Sequence, residues 1–127
     1  MTHDASHVRV RRHLLIAGDD AGATDEAATL AAASWHIVVR RAADDVLGDA
    51  ALADPDLVLV DERAGTMSGI ELVEALRERF ARYIPALLMT SDPQGTRSAL
   101  LGGFDGVVTK PVDAERLHEA LRYVSPK

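Results

Sequence analysis

Short apolar runs alternate along the chain with longer stretches in which apolar residues recur every three or four positions. Runs rich in Leu, Ile and Val at residues 13–17, 35–40, 57–60, 86–90 and 106–109 predict five strands buried on both faces. Helices are predicted at residues 21–34, 44–53, 68–82, 94–101 and 113–124. In the third of these, Ile70, Val73, Leu76 and Phe80 follow one another at spacings of 3, 3 and 4 and form one apolar stripe, while Glu74, Arg77, Glu78 and Arg82 face outward. Leu117, Ala120, Leu121 and Val124 repeat the stripe in the fifth, with Asp113 as its N-cap. The fourth is the weakest, with Pro93 before it, Gly95 near its start and Gly102-Gly103 at its end, and is expected to be the most mobile helix.

Strict alternation of strand and helix predicts an α/β fold, an open doubly wound parallel sheet with ligands at the carboxyl ends of its strands. At 127 residues and 47% hydrophobic, the chain suits a single domain, placed at residues 12–124 between an N-terminal tail of residues 1–11 and a C-terminal tail of residues 125–127. Val8 and Val10 alternate with Arg9 and Arg11, a pattern that would extend the first strand, but a solvated arm is the simpler reading. The absence of Cys excludes a disulfide scaffold and a cysteine-ligated zinc or iron–sulfur site. A net charge of −6 gives no general attraction to phosphate backbones or anionic lipid, so no direct nucleic-acid partner is expected. The apolar run at residues 14–17 is too short for a signal-peptide core and no stretch is long enough to span a membrane, so the expected location is cytoplasmic. His3, His7, His13, His36 and His118 show no metal-ligand spacing and are expected mostly at the surface or at edges, and Trp35 at the rim of the sheet.

The strand ends carry the chemistry under this topology. The first strand leads into Asp19-Asp20, the third into Asp61, the fourth into Thr90-Ser91 and the fifth into Lys110-Pro111. Each piece alone has a plain structural reading: an Asp at a strand-to-helix turn caps a helix, a Thr-Ser pair makes a turn, and a Lys before Pro is a solvated loop residue. Together they bring three carboxylates, two hydroxyls and an ammonium to one edge of the sheet. Crowded carboxylates repel, and a hard divalent cation such as Mg²⁺, which takes oxygen ligands and keeps several waters, relieves that repulsion. Phosphoryl transfer needs positioning and electrostatics of this kind, with Asp61 as nucleophile, Lys110 as a point charge on a phosphoryl oxygen and Thr90 as a hydroxyl donor.

With these residues in view, the chain resembles the receiver domains of two-component response regulators over residues 12–124. The paired acids match Asp19-Asp20, the phosphoacceptor matches Asp61 at the end of Asp56-Leu-Val-Leu-Val-Asp61, and a Met-x-Gly signature appears as Met67-Ser68-Gly69. Thr90 matches the switch hydroxyl and Lys110-Pro111 the Lys-Pro pair. The resemblance implies a flavodoxin-like (βα)5 fold with strand order 2-1-3-4-5, and a phosphoryl group delivered to Asp61 by a sensor histidine kinase or a histidine phosphotransfer protein. Mg²⁺ would be held by Asp20 directly, by Asp19 through water, by Asp61 and by the backbone carbonyl of Arg63. The backbone N–H groups of Arg63 and Ser91 would hold phosphoryl oxygens, and Lys110-Pro111 would be a cis peptide. Such a protein is a signalling module in a phosphorelay, not a metabolic enzyme; it catalyses only its own phosphorylation and slow autodephosphorylation.

The chain departs from the family pattern in ways that bear on its output. Ala64-Gly65 stands where Met-Pro is common, so this loop is expected to be less braced and more flexible. Val107 stands in place of the aromatic switch residue, and Ser91 in place of Ala or Gly. The 41 positions from Asp20 to Asp61 are slightly few, which implies short helices or a trimmed turn before Trp35. Arg63 and Asp92, in positions that admit or block the attacking water, either pair across the mouth of the site or stay solvated. The output would be protein–protein contact with an unidentified target, or homodimerisation, through the face of the fourth helix, fifth strand and fifth helix, which offers Arg97, Asp105, Arg116, His118 and Arg122. An alternative is a switch-degenerate receiver acting as a docking or dimerisation module whatever its phosphorylation state. A detached receiver of a larger hybrid kinase reads the same in sequence, while a flavodoxin-like enzyme or nucleotide-binding domain ranks last because no glycine-rich phosphate loop follows the first strand.

Overall fold

The computed structural model describes residues 12–48, 54–92, 94, 99–100 and 102–124. Five strands, β1 (His13–Ala17), β2 (His36–Arg40), β3 (Leu57–Asp61), β6 (Ala86–Thr90) and β7 (Gly106–Thr109), pair in parallel in the order β2-β1-β3-β6-β7. Between β3 and β6 a two-stranded antiparallel ribbon, β4 (Arg63–Ala64) and β5 (Met67–Ser68), interrupts the alternation, so the main-sheet order is the expected 2-1-3-4-5 with the ribbon numbered in. The helices are α1 (Ala21–Ala31), α2 (Ala43–Leu47), α3 (Gly69–Phe80) and α4 (Ala114–Val124).

Strand periodicity explains why these runs are apolar throughout. Leu14 and Ile16 of β1 and Leu57 and Leu59 of β3 face one layer, built with Ala27 and Ala31 of α1 and Leu117 and Leu121 of α4. Their neighbours Leu15, Ala17, Val58 and Val60 face the other, built with Val46 of α2 and Leu72, Val73 and Leu76 of α3. Two buried faces leave the interior of a central strand no polar position, so Leu57, Val58, Leu59 and Val60 are all apolar and buried, and the polar Asp61 comes only at the end of β3.

The helix boundaries differ from expectation in instructive ways. α1 ends at Ala31, not residue 34, and the Trp35 N–H closes onto the Ala31 carbonyl at 3.1 Å. That turn drives Trp35 into the α1/α4 layer, where it is 7% exposed, so it is a core residue and not a rim residue. α2 is a helix of 5 residues, in keeping with the short span between Asp20 and Asp61; residues 49–53 of the expected second helix lie outside the described residues. Most of the expected fourth helix, with Arg97, also lies outside them, as do both tails; of its residues, 94 is described in a turn and 99–100 in helical form.

α3 starts from a capping box: the Glu71 N–H donates to Ser68 Oγ at 3.2 Å and the Ser68 N–H to Glu71 Oε1 at 2.9 Å. The Ser68 backbone N–H holds the Glu71 carboxyl below its ordinary range, so its support for the helix is lost as pH falls through that lowered value. Replacing Ser68 by Ala removes one arm of the box, with an expected cost of about 1 kcal/mol, read as a lower urea midpoint at unchanged slope.

Candidate functional site

In a sheet of this order the chain leaves β1 for one side and β3 for the other, and a crevice opens between their carboxyl ends. Asp61, the last residue of β3, lies there and is 4% exposed. Every oxygen of its carboxylate is engaged: Oδ1 accepts from the Glu62 N–H at 2.9 Å and from Lys110 Nζ at 2.6 Å, and Oδ2 accepts from the Asp20 N–H at 2.9 Å. Two glycines make room for it. A Cβ on Gly18 would stand 2.2 Å from Asp61 Cβ, and one on Gly69 would stand 2.4 Å from the Asp61 carbonyl oxygen.

Asp20 does two jobs. Its Oδ1 caps α1 by accepting from the Ala23 N–H at 3.1 Å, and its Oδ2 accepts from Lys110 Nζ at 2.9 Å. The hydrogen bond from Lys110, helped by the Ala23 N–H, holds its carboxyl below the ordinary range. Burial opposes the Lys110 ammonium, yet the hydrogen bonds to Asp61 and Asp20 outweigh it and raise its pKa. The Lys110–Asp20 pairing therefore holds across neutral pH; it is lost in acid as Asp20 protonates through its lowered value, and in alkali as Lys110 deprotonates through its raised one. Lys110 reaches the crevice from the turn after β7, where its N–H donates to the Thr90 carbonyl at 2.8 Å and the Lys110-Pro111 peptide is cis, as expected.

Asp19 is tied to the loop that follows Asp61. Its Oδ1 accepts from the Gly65 N–H at 2.7 Å and its own N–H donates to the Arg63 carbonyl at 3.0 Å. These bonds correct the expectation of a loosely braced loop after Asp61. Ala64 is wholly buried, the ribbon pairs Arg63 with Ser68 and Ala64 with Met67, and Gly65 takes φ 69°, with a Cβ there only 2.9 Å from Ala42 Cβ. Even an alanine at Gly65 would press on Ala42, and glycine supplies the left-handed turn.

Thr90, at the end of β6, is 1% exposed and its hydroxyl donates to Glu62 Oε2 at 2.5 Å while accepting from the Asp92 N–H at 3.0 Å. Ser91 follows at the same edge, exposed. Arg63 and Asp92 are turned to other partners, Arg63 Nη2 to the Gly65 carbonyl at 3.4 Å and Asp92 Oδ1 to the Gln94 N–H at 2.9 Å, so no bridge between them closes the site here. Val107 is half-buried against the α2/α3 layer. Neither Glu62 nor Gly18 is singled out by the sequence pattern.

The output face also needs correcting. Asp105 accepts from the Ala86 N–H at 2.8 Å and from Tyr83 Oη at 2.5 Å, with Arg77 Nη2 at 3.6 Å, and so ties the start of β7 to β6 rather than standing free for a partner. His118 Nε2 lies 2.9 Å from the Leu30 carbonyl, on the α1 side. Arg116 does line the groove beside Val107, with Leu100, Thr109 and Tyr123.

For a metal the donor set is hard oxygen, which suits Mg²⁺. Asp20 Oδ2 and Asp61 Oδ1 face the same ammonium, and the Arg63 carbonyl, bonded once by Asp19, keeps a second lone pair. Among the described residues no three acidic, His or Cys side chains converge as a ready-made cage. Mg²⁺ needs no such cage, since one or two carboxylates with waters suffice.

The sequence model of the response regulator receiver domain matches residues 14–122. A curated relative, the heme response regulator HssR of Staphylococcus saprophyticus, is 33% identical over 85 residues, 65% of this chain and 37% of HssR, so the chain spans little more than a third of that relative's length. Among solved structures, chemotaxis protein CheY4 of Vibrio cholerae superimposes with a TM-score of 0.78 at 22% identity, over 91% of this chain and 99% of CheY4. The signal receiver domain of an HD domain-containing protein from Pseudomonas fluorescens Pf-5 gives 0.76 at 22% identity, over 91% and 94% of the two chains. At these identities the structural likeness shows a shared fold. No helix among the described residues is long and apolar enough to cross a membrane.

Proposed function

The chain belongs to the response regulator receiver domain family, and on that basis we propose that Asp61 accepts a phosphoryl group from phosphohistidine on a sensor histidine kinase or phosphotransfer protein in the cytoplasm. The observation that carries this reading is a buried nucleophile held by an ammonium: Asp61 at 4% exposure, with Lys110 Nζ at 2.6 Å and two backbone N–H groups fixing its carboxylate. Orientation of this kind is the main contribution a protein makes to phosphoryl transfer.

In the transfer an Asp61 oxygen attacks phosphorus, the new P–O bond forms as the P–N bond breaks, and the electron pair stays on the departing imidazole nitrogen. Lys110 pairs with a phosphoryl oxygen as a point charge, and Thr90 offers its hydroxyl to another. The backbone N–H groups of Arg63 and Ser91 serve the remaining oxygens. Asp20, Asp61 and the Arg63 carbonyl would hold Mg²⁺, with Asp19 acting through water, and the bound ion would supply positive charge against the phosphoryl oxygens. Water later hydrolyses the acyl phosphate slowly, past Arg63 and Asp92. Output passes by protein contact or homodimerisation through the β7–α4 face, where the groove beside Val107 and Arg116 lies.

Incubation with Mg²⁺ and acetyl phosphate is expected to add one phosphoryl group to the intact mass. Prior removal of divalent cation with EDTA should abolish the gain, and excess Mg²⁺ should restore it. Equal phosphorylation with and without chelator would remove the metal from this mechanism.

A further inference from the structure

The buried hydroxyl of Thr90 has one proton to give, and in the resting chain it gives it to Glu62 Oε2 at 2.5 Å. The same hydroxyl accepts from the Asp92 N–H at 3.0 Å, so it is held from two sides. Glu62 is in turn held by its backbone: its N–H donates to Asp61 Oδ1 at 2.9 Å and its carbonyl accepts from the Gly69 N–H at 3.0 Å. A carboxylate next in sequence to the phosphoacceptor thus occupies the hydroxyl donor that a phosphoryl group on Asp61 would call on beside Lys110. The two bonds exclude each other, because a single O–H cannot donate fully to both.

We propose that Glu62 is a positioning residue that tethers Thr90 in the resting state and so opposes the release of that hydroxyl to a phosphoryl oxygen on Asp61. The proposal rests on the phosphoacceptor reading of Asp61 and adds to it the group that opposes activation. Two forces favour the exchange once Asp61 is modified: competition for the hydroxyl, and repulsion between the added phosphoryl charge and the neighbouring Glu62 carboxylate. Glu62 is exposed at its outer side, so it can turn to water when released. With Val107 carrying no ring to follow Thr90 inward, the freed Glu62 and the Asp92 backbone on the other side of the hydroxyl are the parts of the chain that sense the change. The tether lowers the population of the phosphoryl-competent state and thereby weakens apparent affinity for a phosphoryl group.

The test is a double-mutant cycle read by titration with beryllium fluoride and Mg²⁺, a stable stand-in for the acyl phosphate. Glu62→Ala should bind it about tenfold more tightly than the wild type, the worth of one charge-assisted hydrogen bond no longer competing. In a Thr90→Val background the same substitution should change affinity by less than about threefold, leaving only the repulsive part. Glu62→Gln, which keeps an acceptor but no charge, should fall between. The Thr90 methyl resonance of Glu62→Ala without ligand should move toward its position in the beryllium fluoride-bound wild type. Equal tightening in both backgrounds, or none in either, overturns the tether while leaving the receiver reading intact. Failure of the folded wild type to bind beryllium fluoride overturns both.

Discussion

Replacing Asp61 by Asn is expected to abolish phosphoryl acceptance while leaving the fold in place. The amide has nearly the shape of the carboxylate and retains a carbonyl oxygen for Lys110 Nζ or the Glu62 N–H, which meet Asp61 Oδ1 at 2.6 and 2.9 Å. It has no anionic oxygen to attack phosphorus, so the loss should be complete rather than graded. Intact-mass spectrometry after incubation with Mg²⁺ and acetyl phosphate should show one added phosphoryl group on the wild type and none on Asp61→Asn, with matching circular dichroism spectra. A variant that still gains the group would mean that Asp61 is not the acceptor.

The second large effect is structural and falls on Gly18. Its Cβ would sit 2.2 Å from Asp61 Cβ, where no side chain can yield without moving β1 or β3. Both are central strands of the sheet, and their residues Ile16 and Leu59 are wholly buried. Overpacking of a rigid core costs about 1–3 kcal/mol. With the clash falling on Asp61 Cβ, which is fixed directly to the backbone of β3, Gly18→Ala should lie at the upper end, about 3 kcal/mol, a fall in Tm of about 10 °C. Because the displaced group is Asp61, phosphoryl acceptance should fall with stability, even at temperatures where the variant stays folded. A thermal melt unchanged from the wild type would show that the crevice is looser than these distances state.

What the sequence made legible follows from burial. β1, β3 and β6 read as Leu- and Val-rich runs because both of their faces are covered, whereas the edge strands β2 and β7 are only half-buried for most of their length; β3 was short by only one residue, Asp61 itself. The strand ends were readable for the same reason, since a polar residue that terminates such a run has to sit at the sheet edge. Asp20 shows that the plain and the functional readings need not compete: it caps α1 with one oxygen and pairs with Lys110 through the other. Thr90 likewise makes its local turn bond to Asp92 while facing the site.

The failures share a different cause. Ala64-Gly65 looked loose because the bracing comes from Asp19 and Ala42, 46 and 23 positions away from Gly65, which no local pattern announces. Glu62 was silent because its partner lies 28 residues on, across a strand junction. Trp35 was placed at a rim because the end of α1 was read three residues late, and the turn at Ala31 decides where the indole goes.

The most direct measurement is chemical location of the phosphoryl group. The wild type is phosphorylated with Mg²⁺ by a phosphohistidine donor or acetyl phosphate, then reduced with borohydride, which converts an aspartyl phosphate to homoserine, and its peptides are mass-mapped. Homoserine in place of Asp61 alone is the predicted result. Homoserine at Asp19 or Asp20, a phosphoryl group stable to reduction on a hydroxyl residue, or no modification of the folded protein by either donor would contradict it.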